Sequence, residues 1–202
     1  MDFVAIDFET ATSKFTSACS LGFCVVEDNK IVKRKEIYIR PVPFEFNEYN
    51  IKIHGIEPYM VENKPTFDEY WNDLKPYLNN KTVIAHNAIF DVGVLCAMLD
   101  LFGIEYPKFK YLCTVKLSQK AYPELSSHKL NNLCDALGIK FHHHQAYDDA
   151  YACAMVMLRI LEDYSLDNLD EVEECFEMEI GRVYPGCHLK CKKNKKKQSV
   201  RK

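Results

Sequence analysis

The sequence predicts an α/β fold in which helices flank a mixed β-sheet, and two patterns lead to this prediction. The first part of the chain is rich in β-forming runs, beginning with the apolar segment 3–8. Further along, short apolar runs alternate with segments whose apolar residues recur at helical spacing. Antiparallel strands followed by alternating strands and helices are typical of a mixed sheet covered by helices. At 202 residues and 48% hydrophobic content, the chain can bury a sizeable core.

The predicted strands are runs of apolar and β-branched residues. They cover residues 3–8, 18–27, 30–40, 82–85 and 111–114. Asp28 and Asn29 separate the second and third runs, which favours a hairpin. Residues 41–65 are expected to be irregular.

The predicted helices show apolar residues at helical spacing between recognisable boundary residues. They cover residues 66–78, 88–102, 127–137 and 146–163. Thr66 is predicted as an N-cap with Glu69 at the capping-box position, and Ser127 as the N-cap of the third helix. The acidic segment 167–179 is expected to add a short helix.

Charge is distributed unevenly along the chain. Residues 1–181 hold all 29 acidic and 17 of the 26 basic side chains, a net charge of −12, whereas residues 182–202 carry nine Lys or Arg and no acid. We expect a folded domain over residues 1–164 and an extension over residues 165–202 that ends in a flexible basic tail. Such tails often contact nucleic acid, and the alternative is a solubilising tail.

The nine cysteines are expected to be reduced thiols, because their number is odd and most lie in apolar segments. Cys187, His188 and Cys191 lack the further ligands that a zinc site needs. No stretch approaches the roughly 20 apolar residues of a membrane span. Acids at the start of the chain argue against a signal peptide, so a cytoplasmic location without membrane contact is expected.

Three separated segments carry candidate acidic ligands. Asp7 and Glu9 lie two residues apart on a predicted strand and therefore share a face. A divalent cation would offset their repulsion, whereas the alternative is a pair of solvated acids. Asp91 follows a predicted strand, where such sheets commonly bind ligands. It also falls in a first helical turn, which the helix dipole alone would favour.

The third segment offers two registers, with His144 five residues before Asp149 or His143 five before Asp148. The face of Asp149 points toward the sheet, since it is shared with Ala146, Ala150, Cys153 and Met157. The face of Asp148 is predicted to meet solvent, so Asp149 is the buried acid and His144 its partner. A run of three histidines is otherwise more often a solvated patch.

Together these segments resemble the DEDD exonucleases. The matching motifs are DxET from Asp7, HNAxFD from His86 and HxAxxDA from His144. The histidine five residues before the last aspartate resembles the histidine branch, typified by the proofreading epsilon subunit of bacterial DNA polymerase III. The resemblance covers about residues 2–164, including IHGI at 53–56, Cys113-Thr114 with Leu117, and SHKLNNLCDALGI at 127–139.

The resemblance implies a ribonuclease H-like sheet with a metal-dependent site at one edge. The implied ligands of two divalent ions, Mg²⁺ or Mn²⁺, are Asp7, Glu9, Asp91 and Asp149. His144 is the implied general base. A two-ion site of this kind can activate water and neutralise charge on both reacting oxygens.

Substrate-binding positions are also implied by the resemblance. Thr10 and Ala11 would lie by the terminal nucleotide, and His54 and Ile56 would hold its base or sugar. His86 and Asn87 would lie near the metals or the scissile phosphate. Alternatively, His86 and Asn87 form a strand-to-helix cap.

The resemblance predicts a 3′→5′ exonuclease that releases nucleoside 5′-monophosphates from nucleic acid with a free 3′ end. DNA is favoured because IHGI and SHKL resemble the epsilon-type branch. The alternatives are an RNA-directed exoribonuclease of the same superfamily and an inactive nucleic-acid-binding module. The chain looks like a stand-alone enzyme or a loosely recruited one, for which a polymerase or repair protein is a possible partner, and no oligomeric state is predicted. No glycine-rich phosphate loop follows a predicted strand, which argues against a nucleotide-binding α/β protein.

Overall fold

The structure, a computed structural model, describes residues 1–141 and 145–193. The strands in this part of the chain are β1 Phe3–Thr10, β2 Ala18–Glu27, β3 Lys30–Tyr38, β4 Thr82–Ala85, β5 Phe109–Cys113, β6 Met178–Glu179, β7 Gly181–Tyr184, β8 Cys187–Leu189 and β9 Lys192–Lys193. The helices are α1 Glu48–His54, α2 Pro58–Val61, α3 Phe67–Leu78, α4 Ala88–Leu101, α5 Thr114–Ala121, α6 Leu130–Leu137, α7 Ala146–Asp163 and α8 Leu169–Cys175.

Most of the strands form one mixed sheet in the order β3-β2-β1-β4-β5-β7-β8. The pairs β1–β2 and β2–β3 are antiparallel, β1–β4 and β4–β5 are parallel, and β5–β7 and β7–β8 are antiparallel. Helices α4 and α7 both pack against this sheet. The predicted mixed sheet flanked by helices is confirmed.

Local sequence signals account for several elements. The β2–β3 hairpin turns at Asp28 and Asn29, whose φ angles of 50° and 59° lie in the left-handed region that a tight hairpin turn requires. Helix α3 begins with the predicted capping box, in which the Thr66 backbone N–H donates to Glu69 Oε2 at 2.7 Å. Both predictions are confirmed.

The prediction that residues 41–65 are irregular is wrong. Helix α1 begins after Asn47, whose side chain accepts a hydrogen bond from the Tyr49 N–H, and ends at Gly55 with a φ of 71°. Helix α2 follows within a few residues. Helices this short show too few turns for an apolar period to be visible in the sequence.

Two further boundaries differ from the sequence prediction. Thr114 was expected to end a strand but begins α5, a helix that was not predicted. Lys129, not Ser127, is the N-cap of α6, and its side chain makes no capping hydrogen bond. The Ser127 hydroxyl instead accepts from the Asn132 side chain at 2.9 Å.

The segment after α7 joins the main fold. Helix α8 confirms the short helix expected within residues 167–179. Strand β7 pairs with β5, and β6 pairs with β9 in a separate two-stranded ribbon. Met178, Ile180, Val183 and Cys191 belong to the main hydrophobic core. A domain division at residue 164 and a flexible tail stay predictions, and residues 194–202 lie outside the described ranges.

All nine cysteines lie in the described ranges and are free, as expected for reduced thiols. Most are buried, with Cys175 exposed. Among the helices described above, none combines the length and apolar character needed to cross a bilayer.

Candidate active site

The candidate site lies at one edge of the sheet, where the parallel strands β1 and β4 both approach their carboxyl ends. Ile6 on β1 pairs with Ala85 on β4. The residues that follow, Asp7 and His86, line the same cleft. In open α/β sheets, this edge is where ligands commonly bind.

Asp7, Glu9 and Asp149 form an acidic trio at this edge. One carboxylate oxygen from each residue lies within 4.8 Å of the oxygens from the other two. Asp7 and Glu9 share a face because side chains alternate along a strand, while Phe8 between them is buried. The structure thus brings together acids from two segments that are about 140 residues apart in the sequence.

Asp149 reaches the trio because the first turn of α7 lies directly on β2. A Cβ atom added at Gly22 would lie 1.8 Å from the Ala146 carbonyl oxygen. Gly22 pairs with Asp7 in the sheet. A residue without a side chain is therefore needed where the helix approaches the strand beside Asp7.

Asp91 lies next to the trio in the first turn of α4. Its side chain is buried, and its Oδ1 accepts a hydrogen bond of 2.9 Å from the Phe8 backbone N–H. Phe8 stands between Asp7 and Glu9 on β1, so this bond ties the start of α4 to the strand that carries two of the acids.

The acids shift one another's proton affinity. Burial, and then the charges of Asp91, Glu9 and Asp149, raise the pKa of Asp7 well above its ordinary value. Burial, followed by the charges of Asp149 and Asp91, raises the pKa of Glu9 to about 8. Burial also raises the pKa of Asp91 to about 7, although the hydrogen bond from Phe8 acts in the opposite direction.

This arrangement fits a divalent cation. Buried carboxylates that repel one another are costly when ionised, and a cation between them removes that cost. Hard divalent ions prefer such oxygen ligands. Within residues 1–141 and 145–193, the acidic trio is the only group of three or more His, Cys, Asp or Glu with this proximity, so Cys187, His188 and Cys191 do not form one.

A cleft of about 810 Å³ opens onto the acids. Its lining residues from the predicted site are Asp7, Glu9, His86, Asn87 and Asp149. Sequence reasoning had given no role to several others in the lining: Phe90, Val115, Gln119, His128, Lys129, Leu130 and Asn131. Three of these residues, His128, Lys129 and Leu130, belong to the SHKL segment, which the sequence analysis relates only to the family resemblance.

Thr10, Ala11, His54 and Ile56 lie together beside the acidic trio. His54 Nδ1 accepts from the Ile56 N–H at 2.9 Å, which leaves Nε2 to donate to the Thr10 carbonyl at 3.3 Å. Burial lowers the pKa of His54, in keeping with a neutral ring. Ala11 and Ile56 belong to one small hydrophobic cluster.

His86 and Asn87 connect β4 to α4. His86 Nε2 lies 3.1 Å from the His128 carbonyl oxygen and Nδ1 lies 2.9 Å from the Thr114 hydroxyl. Asn87 is the N-cap of α4 and has a φ of 69°, but its side chain makes no capping hydrogen bond. The alternative in which Asn87 acts as a side-chain cap is therefore not supported.

The third predicted segment is described only in part, since His142, His143 and His144 lie outside the described ranges. Asp149 is buried, as the register argument predicts. Asp148 was predicted to meet solvent, and this is wrong because it is also largely buried. Arg34 on β3 donates to Asp148 Oδ1 at 2.6 Å.

Comparison with known proteins identifies the family. The profile of the RNase T exonuclease family matches residues 4–157, which include Asp7, Glu9, Asp91 and Asp149. This chain belongs to the RNase T exonuclease family. The resemblance to DnaQ-like DEDD exonucleases is thereby confirmed, and the family model that matches is that of an exonuclease.

Curated relatives of this chain include much longer proteins. It is 30% identical over 178 residues to the PolC-type DNA polymerase III of Thermotoga petrophila, a match that covers 85% of this chain. It is 32% identical over 162 residues to the PolC-type polymerase of Clostridium perfringens, covering 77% of this chain. The matches span only 13% and 11% of those polymerases.

Solved structures share the fold of this chain. Exonuclease X in complex with 5′-overhanging duplex DNA has a TM-score of 0.70 at 22% identity and covers 85% of this chain and 98% of its own. The nuclease domain of 3′hExo, a DEDDh family member bound to rAMP, has a TM-score of 0.70 at 20% identity and covers 83% and 94%. At these identities the two structures support the fold alone.

Proposed function

We propose that this exonuclease removes nucleotides from the 3′ end of DNA by a two-metal mechanism and releases nucleoside 5′-monophosphates. The observation that carries the proposal is the acidic trio, whose oxygens lie within 4.8 Å of one another beside the buried Asp91. A divalent cation relieves the repulsion among the converging carboxylates, and phosphodiester hydrolysis is a reaction that such a cation assists.

The proposal assigns a role to each site residue. Asp7, Glu9, Asp91 and Asp149 would hold two divalent ions, Mg²⁺ or Mn²⁺, and these ions would supply positive charge to the attacking and leaving oxygens. His144 accepts a proton from the attacking water, as a histidine near its ordinary pKa can do at neutral pH. The hydrogen bond from the Phe8 N–H to Asp91 fixes the position of α4 relative to β1. In this proposal it thereby positions the acids that act on the phosphate.

The terminal nucleotide is assigned to the neighbouring group of residues. Thr10 and Ala11 lie beside Glu9 at the end of β1, and His54 and Ile56 face them from α1 and the following turn. They provide an apolar wall and a fixed imidazole for a base or sugar. His86 and Asn87, which line the cleft with the acids, lie near the scissile phosphate in this proposal.

DNA is the favoured substrate for two reasons. The curated relatives cited above are DNA polymerases, and IHGI and SHKL resemble the epsilon-type branch. RNA is the second candidate, because similar folds occur in a 3′-exonuclease that recognises a histone mRNA stem-loop and in 3′hExo bound to rAMP. A polymerase or repair partner and a cytoplasmic location stay predictions.

The proposal is tested with oligonucleotides labelled at the 5′ end. Single-stranded DNA, duplex DNA and RNA are incubated with Mg²⁺, Mn²⁺ or EDTA, using wild type, Asp7→Asn and His144→Ala. We expect a ladder that shortens from the 3′ end, faster on DNA, that EDTA abolishes and that either substitution slows about 100-fold or more. Asp135→Asn, at an exposed acid on α6, serves as the control that retains activity.

Different outcomes contradict different parts of the proposal. If no oligonucleotide is shortened with either metal, the exonuclease mechanism is wrong for this chain and an inactive binding module becomes the better account. Faster shortening of RNA than of DNA would contradict the substrate preference alone. Full activity in Asp7→Asn would remove Asp7 from the metal site.

A further inference from the structure

One wall of the active-site cleft is formed by α5, whose outer side is basic. Val115 and Gln119 line the cleft together with Asp7. Leu117 and Ser118 face the interior and are fully buried. The residues next to Gln119 along the outer side are Lys116 and Lys120, so positive charge borders the cleft that holds the acids.

The ribbon of β6 and β9 adds two more lysines to this wall. In the ribbon, Met178 pairs with Lys193 and Glu179 pairs with Lys192. The ribbon is anchored by Met178 and by Cys191, which are buried in the main core. Lys192 and Lys193 are therefore held on a packed part of the fold.

Direct contacts join the ribbon to α5. Lys193 Nζ donates to Gln119 Oε1, and Lys116 Nζ donates to the Cys191 carbonyl oxygen. Because Gln119 itself lines the cleft, the ammonium group of Lys193 lies at the cleft border. We refer to Lys116, Lys120, Lys192 and Lys193 as the lysine surface.

The lysine surface is only partly neutralised by nearby acids. Lys120 Nζ lies 3.9 Å from Glu177 and Lys192 Nζ lies 3.9 Å from Glu179, and both glutamates are exposed. Exposed pairs of this kind contribute little and are screened by salt. Lys116 and Lys193 bond to uncharged oxygens. Burial and the charges of Lys120 and Lys116 lower the pKa of Lys193, which an anionic partner would reverse.

The acidic trio and the lysine surface suit different parts of a nucleic-acid strand, namely its scissile phosphate and the phosphates before it. The acids require cations around the scissile phosphate, whereas the lysines match the phosphates that have not yet reached the site. Phosphate contacts by lysine position a strand without reading its sequence. An exonuclease that shortens a strand stepwise needs such sequence-independent contacts.

We propose that the lysine surface binds the backbone phosphates of the substrate strand on the 5′ side of the nucleotide being removed. This inference rests on the proposed function, since it assumes that the strand ends at the acidic trio. It assigns the path along which the strand enters the site, over α5 and the β6–β9 ribbon.

The test compares the double variant Lys120→Gln/Lys193→Gln with wild type and with the control Lys30→Gln/Lys64→Gln. Lys30 lies at the far end of the β2–β3 hairpin and Lys64 follows α2; both are exposed. Binding of a fluorescent single-stranded DNA of about a dozen nucleotides, within the range that such grooves accommodate, is measured with Ca²⁺ at several KCl concentrations. Loss of two phosphate contacts should reduce the slope of log affinity against log salt by about 1.4.

Cleavage provides a second readout. In the Lys120→Gln/Lys193→Gln variant, we expect KM for the long strand to rise several-fold more than KM for a dinucleotide, because a dinucleotide is too short to reach the lysine surface. The value of kcat on the long strand should stay close to that of wild type. The control variant should match wild type in both readouts.

Three results would overturn the inference. They are a salt slope equal to that of wild type, an equal rise in KM for the dinucleotide and the long strand, and, when a duplex of the same strand is measured alongside, an effect confined to that duplex, which would assign the lysines to the complementary strand. If wild type binds the strand but never shortens it, the proposed function fails, and the difference in salt slope still decides whether the lysine surface binds phosphates.

Discussion

Asp91 combines a structural contact with a position in the acidic site. Its Oδ1 accepts a hydrogen bond from the Phe8 N–H at 2.9 Å, and burial, with a smaller contribution from the charge of Asp149, raises its pKa to about 7. The hydrogen bond favours a side-chain acceptor at this position, whereas burial disfavours a negative charge there. Substitutions that remove the charge with or without the acceptor oxygen separate these two effects.

We expect Asp91→Ala and Asp91→Asn to differ in stability but not in activity. Alanine leaves the buried Phe8 N–H without its acceptor and should lower the free energy of unfolding by about 1–3 kcal/mol. Asparagine retains an acceptor oxygen without the charge, so metal-free Asp91→Asn should be at least as stable as wild type. Both variants should lose exonuclease activity.

Urea denaturation in EDTA distinguishes the two variants. An alanine variant as stable as the asparagine variant would show that the contact with Phe8 contributes nothing, and would leave Asp91 with a role in the site only.

At the scale of single residues, the sequence predicts the acidic residues of the site better than it predicts which side chains are buried. The resemblance to the DEDD exonucleases selects Asp7, Glu9, Asp91 and Asp149, whereas the residues alone leave solvated acids or a helix-dipole contact as alternatives. Asp148 was assigned to solvent because helical periodicity describes only the helix itself. Its partner Arg34 is 114 residues away in the chain, and nothing near Asp148 indicates that contact.

The first turn of α7 is the element that delivers Asp149, and Arg34 secures it from β3. The Arg34 guanidinium lies 4.2 Å from the ring centroid of Tyr147 and 3.9 Å from that of Tyr151, one helical turn further on. It also forms the ion pair with Asp148. These contacts hold the turn against the hairpin, so that the neighbouring Asp149 faces the other acids.

We expect Arg34→Ala to lower the free energy of unfolding by about 1–3 kcal/mol, through loss of two cation–π contacts and a partly buried ion pair. It should also weaken Mn²⁺ binding, because Asp149 is held less firmly. Arg159→Ala is the matched control on the same helix. Arg159 pairs with Asp163 at 2.8 Å on the exposed side and should have no measurable effect.

Urea denaturation and hydrogen exchange at the start of α7 measure the change in stability, and titration with Mn²⁺ measures the metal affinity. Equal stability and equal metal affinity in the two arginine variants would show that Arg34 does not position this turn.

Elements that carry clear local signals were predictable, and those stabilised by distant contacts were not. The capping box of α3 and the left-handed turn at Asp28 and Asn29 are encoded in a few adjacent residues. Strands β7 and β8 are four and three residues long. Strand β7 depends on pairing with β5, about 70 residues earlier, and β8 pairs with β7. No local pattern specifies such a pairing.

On the scale of the whole molecule, the sheet gathers acids whose repulsion opposes folding when no cation is bound. Glu9 has a pKa of about 8 in the fold against an ordinary value of 4.5. The folded protein therefore retains this proton at pH values where the unfolded chain has lost it. The associated stability is fully present below about pH 4.5 and is lost as the pH rises to about 8.

In EDTA, wild type should lose stability relative to Glu9→Gln as the pH rises from about 5 to about 8, because glutamine does not titrate. Mg²⁺ should reduce this loss by stabilising the ionised carboxylates. The urea midpoints of both proteins at the two pH values provide the measurement. A difference between the proteins that does not change with pH would contradict the raised pKa of Glu9.

The most direct test of whether Asp7, Glu9 and Asp149 form a metal site is the binding of Mn²⁺, measured by isothermal titration calorimetry near neutral pH. The proteins compared are wild type, Glu9→Gln and the exposed control Glu27→Gln. The acidic trio predicts saturable binding to wild type and to the control, and an affinity at least about tenfold lower in Glu9→Gln. Equal affinity in all three proteins, or no binding to any of them, would show that the acids at this edge of the sheet do not form a metal site.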